Sequence, residues 1–227
     1  MSEQSLLILD EPEPASRAEE AYRRLVCKIT RLELAPGAVL SEKALMSDLG
    51  IGRTPIREAL QRLAIEGLVT HMPNRVMLVS DISAATVQQI YEFRSLVEGF
   101  SARLAAERAS KADIRELAAL DAALAGATEE ADVDRFVAID RRFHRVLARA
   151  SRNLYLEEVV PRIFNLHLRL WFFISDKAGS WKVAAHAHDD MTRGLVDAIA
   201  AHDADAAERI MKRYVTRRHH EIKDLLL

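Results

Sequence analysis

The sequence predicts a mostly α-helical protein of two unlike parts: an N-terminal winged helix-turn-helix with a small β-hairpin wing, and a C-terminal all-α bundle of six helices. Three observations carry that prediction. Apolar residues recur at three- and four-residue spacing along most of the 227-residue chain. Glycine and proline are scarce, at 8 and 6 residues, against roughly 12% together in an average chain. Two short β-prone runs, LVTH and VMLVS, occur once, and no strand pattern recurs after Ser80.

The elements follow in order. Residues up to Ser16 hold two prolines and four acids, a composition that predicts a mobile tail over 1–16. From Arg17 to Leu34, Tyr22, Leu25, Val26, Ile29 and Leu32 fall on one helical face, and Ala35-Pro36-Gly37 stops the helix. Cys27 lies on that face as a buried, inert thiol, and as the one cysteine it excludes an internal disulfide. A second helix runs from Ser41, as cap, to Leu49, with Gly50 as terminator. A third runs from near Thr54 to Gly67. Proline disfavours a helical residue before it, so Pro55 makes Thr54 the expected cap. A hairpin around Met72-Pro73-Asn74-Arg75 closes a first unit over 17–80. The second unit, 83–227, reads as helices over about 83–109, 111–127, 131–150, 153–176, 180–201 and 203–224. Breaks fall at Ser110, Gly126, Asn153, Gly179 and His202-Asp203, with Asp203 as a cap.

Totals exclude several classes. A formal net charge of −2 means that any nucleic-acid surface is a local patch. The N-terminal run LLIL follows an acidic start and is shorter than the ~7–15 apolar residues of a secretory signal. The run LRLWFFI falls short of the ~18 residues that cross a bilayer. A cytoplasmic protein without membrane contact is expected.

On the third helix Ile56, Ala59, Leu60 and Leu63 make one apolar face, which puts Arg57 and Gln61 on the opposite one and Arg53 at its start. Cations at a helix N-terminus oppose the helix dipole at roughly 0.3–1 kcal/mol each. What such a turn suits is duplex DNA: a helix fits the major groove, arginine contacts O6 and N7 of guanine, and free N–H groups hold phosphate. The plainer alternative is a solvated helix whose Arg57 pairs with a neighbouring acid. The order helix, helix, turn, helix, hairpin, with Lys43 one helix earlier, favours DNA.

In the second unit, Asp140 and His144 fall within the apolar stripe Phe136, Ile139, Phe143, Leu147, and Arg94 within Val87, Ile90, Val97, Leu104. Polar groups facing a core need partners, and a buried arginine keeps its charge. Arg94 therefore pairs with Glu98 or Asp140, or binds an anion. The string AHAHDD places His186 and His188 before Asp189 and Asp190, resembling a metal-binding signature of hydrolases. A metal-dependent hydrolase using Asp140, His144, His186 and His188 is the rival reading, though it leaves the wing unexplained; a helical interaction protein whose winged unit binds protein is a third. His219 and His220, beside Arg217 and Arg218, read as a solvated basic cluster.

The stretch LELAPGAVLSEKALMSDLGIGRTPIREALQRLAIEGLVTHMPNRVMLV resembles the DNA-binding domain of GntR-family regulators: a Pro-Gly turn, L-S-E, a run ending R-T-P-x-R-E-A-L, then E-G-L before the wing. That resemblance implies operator contacts from Arg53, Thr54 and Arg57, helped by Lys43 and by the wing tip Asn74-Arg75. Gly52 stands where the family has serine, and Val76 where it has the wing glycine. The pieces YEFRSLVEGFSARLAAERAS, DRRFHRVLARASRN and GLVDAIAAHDADAAERIMKRY resemble the FCD effector domain of the FadR-like branch, and six helices point to its VanR-like subgroup. The resemblance covers about 17–220 and implies a homodimeric, non-enzymatic transcription factor. It further implies that such a factor binds a palindromic operator and responds to a small organic acid held by the helical domain. In FCD domains an Asp and a His at the spacing of Asp140 and His144 join two later histidines around a divalent metal. Here those two positions hold Thr192 and Tyr214, whose hydroxyls replace imidazole poorly. The expectation is a metal-free pocket in which Asp140, His144, Thr192 and Tyr214 supply hydrogen bonds and Arg94 supplies charge. His188, one turn before Thr192 on the same face, is the possible substitute ligand.

Overall fold

The computed structural model describes residues 13–72, 76–179 and 181–226. Most of the expected tail and the wing-tip residues Asn74 and Arg75 lie outside the described residues. Three helices open the chain: α1 (Arg17–Thr30), α2 (Glu42–Leu49) and α3 (Arg53–Ile65). Two strands follow, β1 (Val69–His71) and β2 (Met77–Val79), paired antiparallel with Val69 opposite Val79. Six more helices complete it: α4 (Ala84–Arg108), α5 (Lys111–Glu129), α6 (Val133–Ala150), α7 (Leu154–Ala178), α8 (Lys182–Ala200) and α9 (Ala204–Leu226).

Local chemistry explains the boundaries. Ser16, Ser41, Ser83 and Asp132 cap α1, α2, α4 and α6 by accepting a backbone N–H of the first turn. Ser110 and Asp113 form a reciprocal capping box at α5. Gly50 ends α2 in the left-handed conformation at φ 65°, which glycine adopts without steric cost. Asp203 accepts the N–H of Ala206 at 2.9 Å at the start of α9.

Several expected boundaries move. The first helix ends at Thr30, not Leu34, because the chain turns left-handed at Leu32, φ 62°. The break expected at Gly126 is absent; α5 runs through it to Glu129. The cap of α3 is Gly52, not Thr54, and it makes no side-chain cap bond. Thr54 and Pro55 both sit in the first turn, where proline's missing N–H costs nothing. With no capping oxygen, the start of α3 leaves its N–H groups open outwards.

Two apolar cores form. The N-terminal one joins Leu25 and Ile29 of α1 to Ile56, Leu60 and Leu63 of α3 and to Leu68 and Val79 of the wing. The second is larger and gathers Phe136, Phe143 and Leu147 of α6 with Leu117, Leu124, Trp171, Leu195 and Met211 from the helices around it. The contact of α4 with α9 is the most extensive in the fold. Gly99 lies at this contact, where an added Cβ would meet Lys212 Cγ at 2.9 Å and that side chain would have to shift. The two parts are joined directly: Leu166 of α7 packs against the N-terminal core, and Arg169 donates to the Ser80 carbonyl in the linker.

Candidate functional site

The open start of α3 and the start of α2 make one exposed face, where Lys43, Arg53, Thr54, Arg57 and Gln61 are all exposed. Ile56, Ala59, Leu60 and Leu63 are buried behind it, as the helical spacing predicts. The two arginines are not left unanswered. Arg57 donates Nε and Nη2 to the Glu42 carboxylate at 3.0 and 3.2 Å, and Arg53 Nε lies 3.9 Å from the same group. The Arg57 hydrogen bond holds the Glu42 carboxyl below its usual range against a slight opposing effect of burial. Glu42 is the neighbouring acid of the plainer alternative, which the sequence reading did not name. The available signal was an acid one residue after the Ser41 cap, facing a cationic first turn one helix later.

Within the bundle, five helices turn polar side chains into the core. Asp140 and His144 of α6 are buried, and His144 Nδ1 lies 3.0 Å from Asp140 Oδ1. His188 of α8 does lean inward, with its Nε2 3.0 Å from Asp140 Oδ1. Burial would push the Asp140 carboxyl up, but the His188 and His144 imidazoles hold it well below the usual carboxylate range. Burial pulls His144 down; the Asp140 carboxylate outweighs it and raises the imidazole above its ordinary value. His167 of α7, which the sequence reading overlooked, lies with its ring centroid 6.4 Å from that of His144. Burial, then the Arg94 charge, pulls His167 well down. Its signal was a place one turn after Phe164 in an apolar run.

Arg94 is fully buried and bidentate with Glu98, at 2.7 and 3.1 Å. This is the ion pair the sequence offered as one alternative. Arg218 of α9 corrects a second expectation. It is buried beside Tyr91 and Tyr214 and pairs with Glu221, because it continues the buried stripe Met211, Tyr214, Val215. His219 stacks on Tyr91 at 5.2 Å, so the solvated cluster reduces to exposed Arg217 and His220. Thr192 is buried, but it donates its hydroxyl to Asp121 Oδ1 at 2.6 Å, so the donor role expected of it near Asp140 is taken. Tyr214 does face the centre, its ring edge-on to His188 at 5.7 Å. His186 is two-thirds exposed and points away, which removes one of the four residues the hydrolase reading needs.

The centre is incomplete as hydrogen-bond chemistry. Among the described residues, Asp140 Oδ1, both ring nitrogens of His167 and of His188, the Tyr91 and Tyr214 hydroxyls, Arg94 Nη1, and Arg218 Nε and Nη2 have no hydrogen-bond partner. Asp140 Oδ1 and His188 Nε2 are close yet not aligned with each other. Each such buried group costs ~1–3 kcal/mol, and native cores keep only a few of them. Asp140, His144 and His188 each offer one ligand atom within 4.8 Å of the others. One carboxylate and two imidazoles fit a divalent ion of the zinc type with positions left open. The sequence offers Asp140 and His144, with His188 as the possible substitute, and the fold brings His188 to them.

Residues 89–217 match the FCD domain, and residues 17–79 match the gntR family of bacterial regulatory proteins. The chain belongs to the GntR family, in its FCD-bearing branch. Its relatives are named as transcriptional regulators rather than enzymes. It is 36% identical over 132 residues to an uncharacterised HTH-type transcriptional regulator from an unstable DNA locus of Streptomyces ambofaciens, covering 58% of this chain and 55% of that protein. The chain thus spans about half the length of that relative. Against the HTH-type transcriptional repressor RspR of Escherichia coli K12, identity is 27% over 197 residues, covering 87% of this chain and 85% of that one. The fold is similar to that of E. coli McbR/YncC, with a TM-score of 0.79, 21% identity, and coverage of 94% and 100%. No helix among the described residues is long and apolar enough to cross a membrane.

Proposed function

We propose that this protein is a ligand-responsive, DNA-binding transcriptional regulator that engages a palindromic operator as a homodimer. The observation that carries the reading is the placement of Arg53 and Arg57 on an exposed, uncapped helix start in front of a packed apolar core. Arg53 and Arg57 read guanine edges, Thr54 and the open N–H groups hold phosphate, and Lys43 and Gln61 extend the contact. Asn74 and Arg75 at the wing tip add backbone contacts. One such head offers few contacts, so specific binding takes two. Phe93, Leu96 and Phe100, spaced along α4 and exposed at 51%, 66% and 46%, supply an apolar stripe for a second copy.

The effector is a small organic acid held in the buried centre. Its carboxylate meets the unsatisfied donors of Arg94, Arg218, Tyr91 and Tyr214, and Thr192 supports α8 from behind. Asp140, His144 and His188 would hold a divalent ion, which when bound supplies further positive charge for that carboxylate. A route to the DNA face runs from α6. Arg141, next to Asp140, donates to Asn165 Oδ1 at 2.8 Å; Asn165 Nδ2 donates to Tyr22 Oη at 3.2 Å; Tyr22 donates to Glu66 at 2.6 Å. Glu66 is the C-cap of α3. An effector acts by binding one arrangement of these groups more tightly than another.

Selection from a pool of randomised duplexes tests the reading. Enrichment of a two-fold symmetric sequence, with affinity lowered or raised by an organic acid, is the expected result. A pool that stays random after repeated rounds would remove the operator from the account.

A further inference from the structure

Both ring nitrogens of His167 are buried and have no hydrogen-bond partner among the described residues. Each polar group left so costs ~1–3 kcal/mol. The surroundings are those of an ion site. Asp140 Oδ1 stands 3.0 Å from both His144 Nδ1 and His188 Nε2. Ligand bonds of about 2.0–2.1 Å put two atoms on one tetrahedral zinc roughly 3.3 Å apart, and the centroids of two bound imidazoles roughly 5–6 Å apart. The His144 and His188 centroids are 6.2 Å apart and the His144 and His167 centroids 6.4 Å, so His167 is placed about as well as the ligand on α8. Phe164, one turn before His167, lies edge-on to the His144 and His167 rings at 5.2 and 6.2 Å and spaces them. The His167 nitrogens are outside the triad whose atoms lie within 4.8 Å of one another, but no hydrogen bond opposes a turn of the ring towards it. The charge of Arg94, which acts on His167, is answered by Glu98 at 2.7 and 3.1 Å, and that lessens its repulsion of a divalent ion.

We infer that His167 is the fourth protein ligand of a divalent ion held by Asp140, His144 and His188, and that through it the ion governs how α7 holds the N-terminal head. The inference rests on the reading that those three residues bind metal. An ion so held joins α6, α7 and α8, and it can still expand to a fifth position facing the effector carboxylate. Residues on either side of His167 anchor the head. Asn165 Nδ2 donates to Tyr22 Oη at 3.2 Å, Leu166 packs against the N-terminal core, and Arg169 donates to the Ser80 carbonyl. A bond at His167 fixes the rotation of this stretch of α7, and that rotation decides whether the three side chains reach the head. Thr192 and Tyr214, where the FCD resemblance places the later histidines, lie on α8 and α9. The link through α7 is therefore a property of this chain.

X-ray absorption at the zinc edge, on the full chain loaded with zinc, counts the bound imidazoles; three are expected. Competition with a chromophoric chelator gives the zinc affinity, which His167→Leu is expected to lower by about tenfold or more. Leucine leaves no unpaired nitrogen in the core, so the variant is expected to fold. Zinc is expected to slow amide hydrogen exchange over α1 by about threefold or more in the wild type and not in His167→Leu. If the variant fails to fold, the imidazole count and the wild-type exchange decide. A wild type that binds no zinc would overturn this proposal together with the three-residue site. Two imidazoles, equal zinc affinity in the two proteins, or α1 exchange that ignores zinc or answers it equally in both would overturn this proposal and leave the three-residue site standing.

Discussion

Glu42 of α2 and Arg57 of α3 hold each other through two hydrogen bonds, at 3.0 and 3.2 Å, on the face proposed to meet DNA. The pair holds Arg57 beside Arg53, whose Nε is 3.9 Å from the same carboxylate. It also competes with any base or phosphate. Exposed ion pairs are worth about 0–1 kcal/mol, so the competition is mild. Glu42→Gln removes the negative charge and keeps the shape. Duplex affinity at low salt is expected to rise by up to about fivefold, with sequence selectivity relaxed, in an anisotropy titration. A loss of affinity would show that Glu42 serves DNA binding chiefly by orienting Arg57.

Asp113 anchors the helix that carries the buried centre. It accepts from the Ser110 backbone and hydroxyl at 2.9 and 2.6 Å, and from Arg149 at 3.2 Å and Arg152 at the end of α6. Burial pushes its carboxyl up; the Ser110 hydrogen bonds and the two guanidinium groups outweigh that and leave it below the usual range. A depressed folded value means that its stabilisation is present above the unfolded value, ~3.9, and is lost as pH falls through the lower folded one. Asp113→Asn is expected to cost about 1–3 kcal/mol at neutral pH in urea unfolding. The gap from wild type should narrow below about pH 4. A gap that is constant with pH would mean that the carboxylate charge contributes nothing.

Three ligand atoms within 4.8 Å make a metal test direct. Zinc added to chelator-treated protein is expected to raise Tm by several degrees, since a ligand held by the native state alone stabilises it in proportion to the logarithm of its concentration. His188→Ala should abolish the shift, and Thr192→Ala should leave it in place. The reverse pattern would move the third ligand to the position where the FCD family carries it.

Why some of this was legible and some not follows from the range of each interaction. Spacing alone placed Ile56, Leu60 and Leu63 inward and Arg57 outward, and put Asp140 and His144 on one buried face, because both are properties of a single helix. Which residue of α8 meets them depends on the rotation of α8 against α5 and α6. That rotation turns Thr192 to Asp121 and His188 to Asp140. Arg218 misled through its neighbours: Arg217 and His220 are exposed, yet Arg218 falls four residues after Tyr214 on the buried stripe. The Glu42–Arg57 pair and the Arg141–Asn165–Tyr22–Glu66 hydrogen bonds join separate helices, and no local pattern encodes them.

The central claim is that the cationic start of α3 meets the phosphates and bases of a duplex. Its most direct measurement is the slope of log affinity against log salt for a selected duplex, in wild type and in Arg53→Ala/Arg57→Ala. Binding by the wild type should weaken steeply with salt, and the double variant should lose about 1–3 kcal/mol per base-reading arginine with a shallower slope. Equal affinity and equal slope in the two proteins would contradict it.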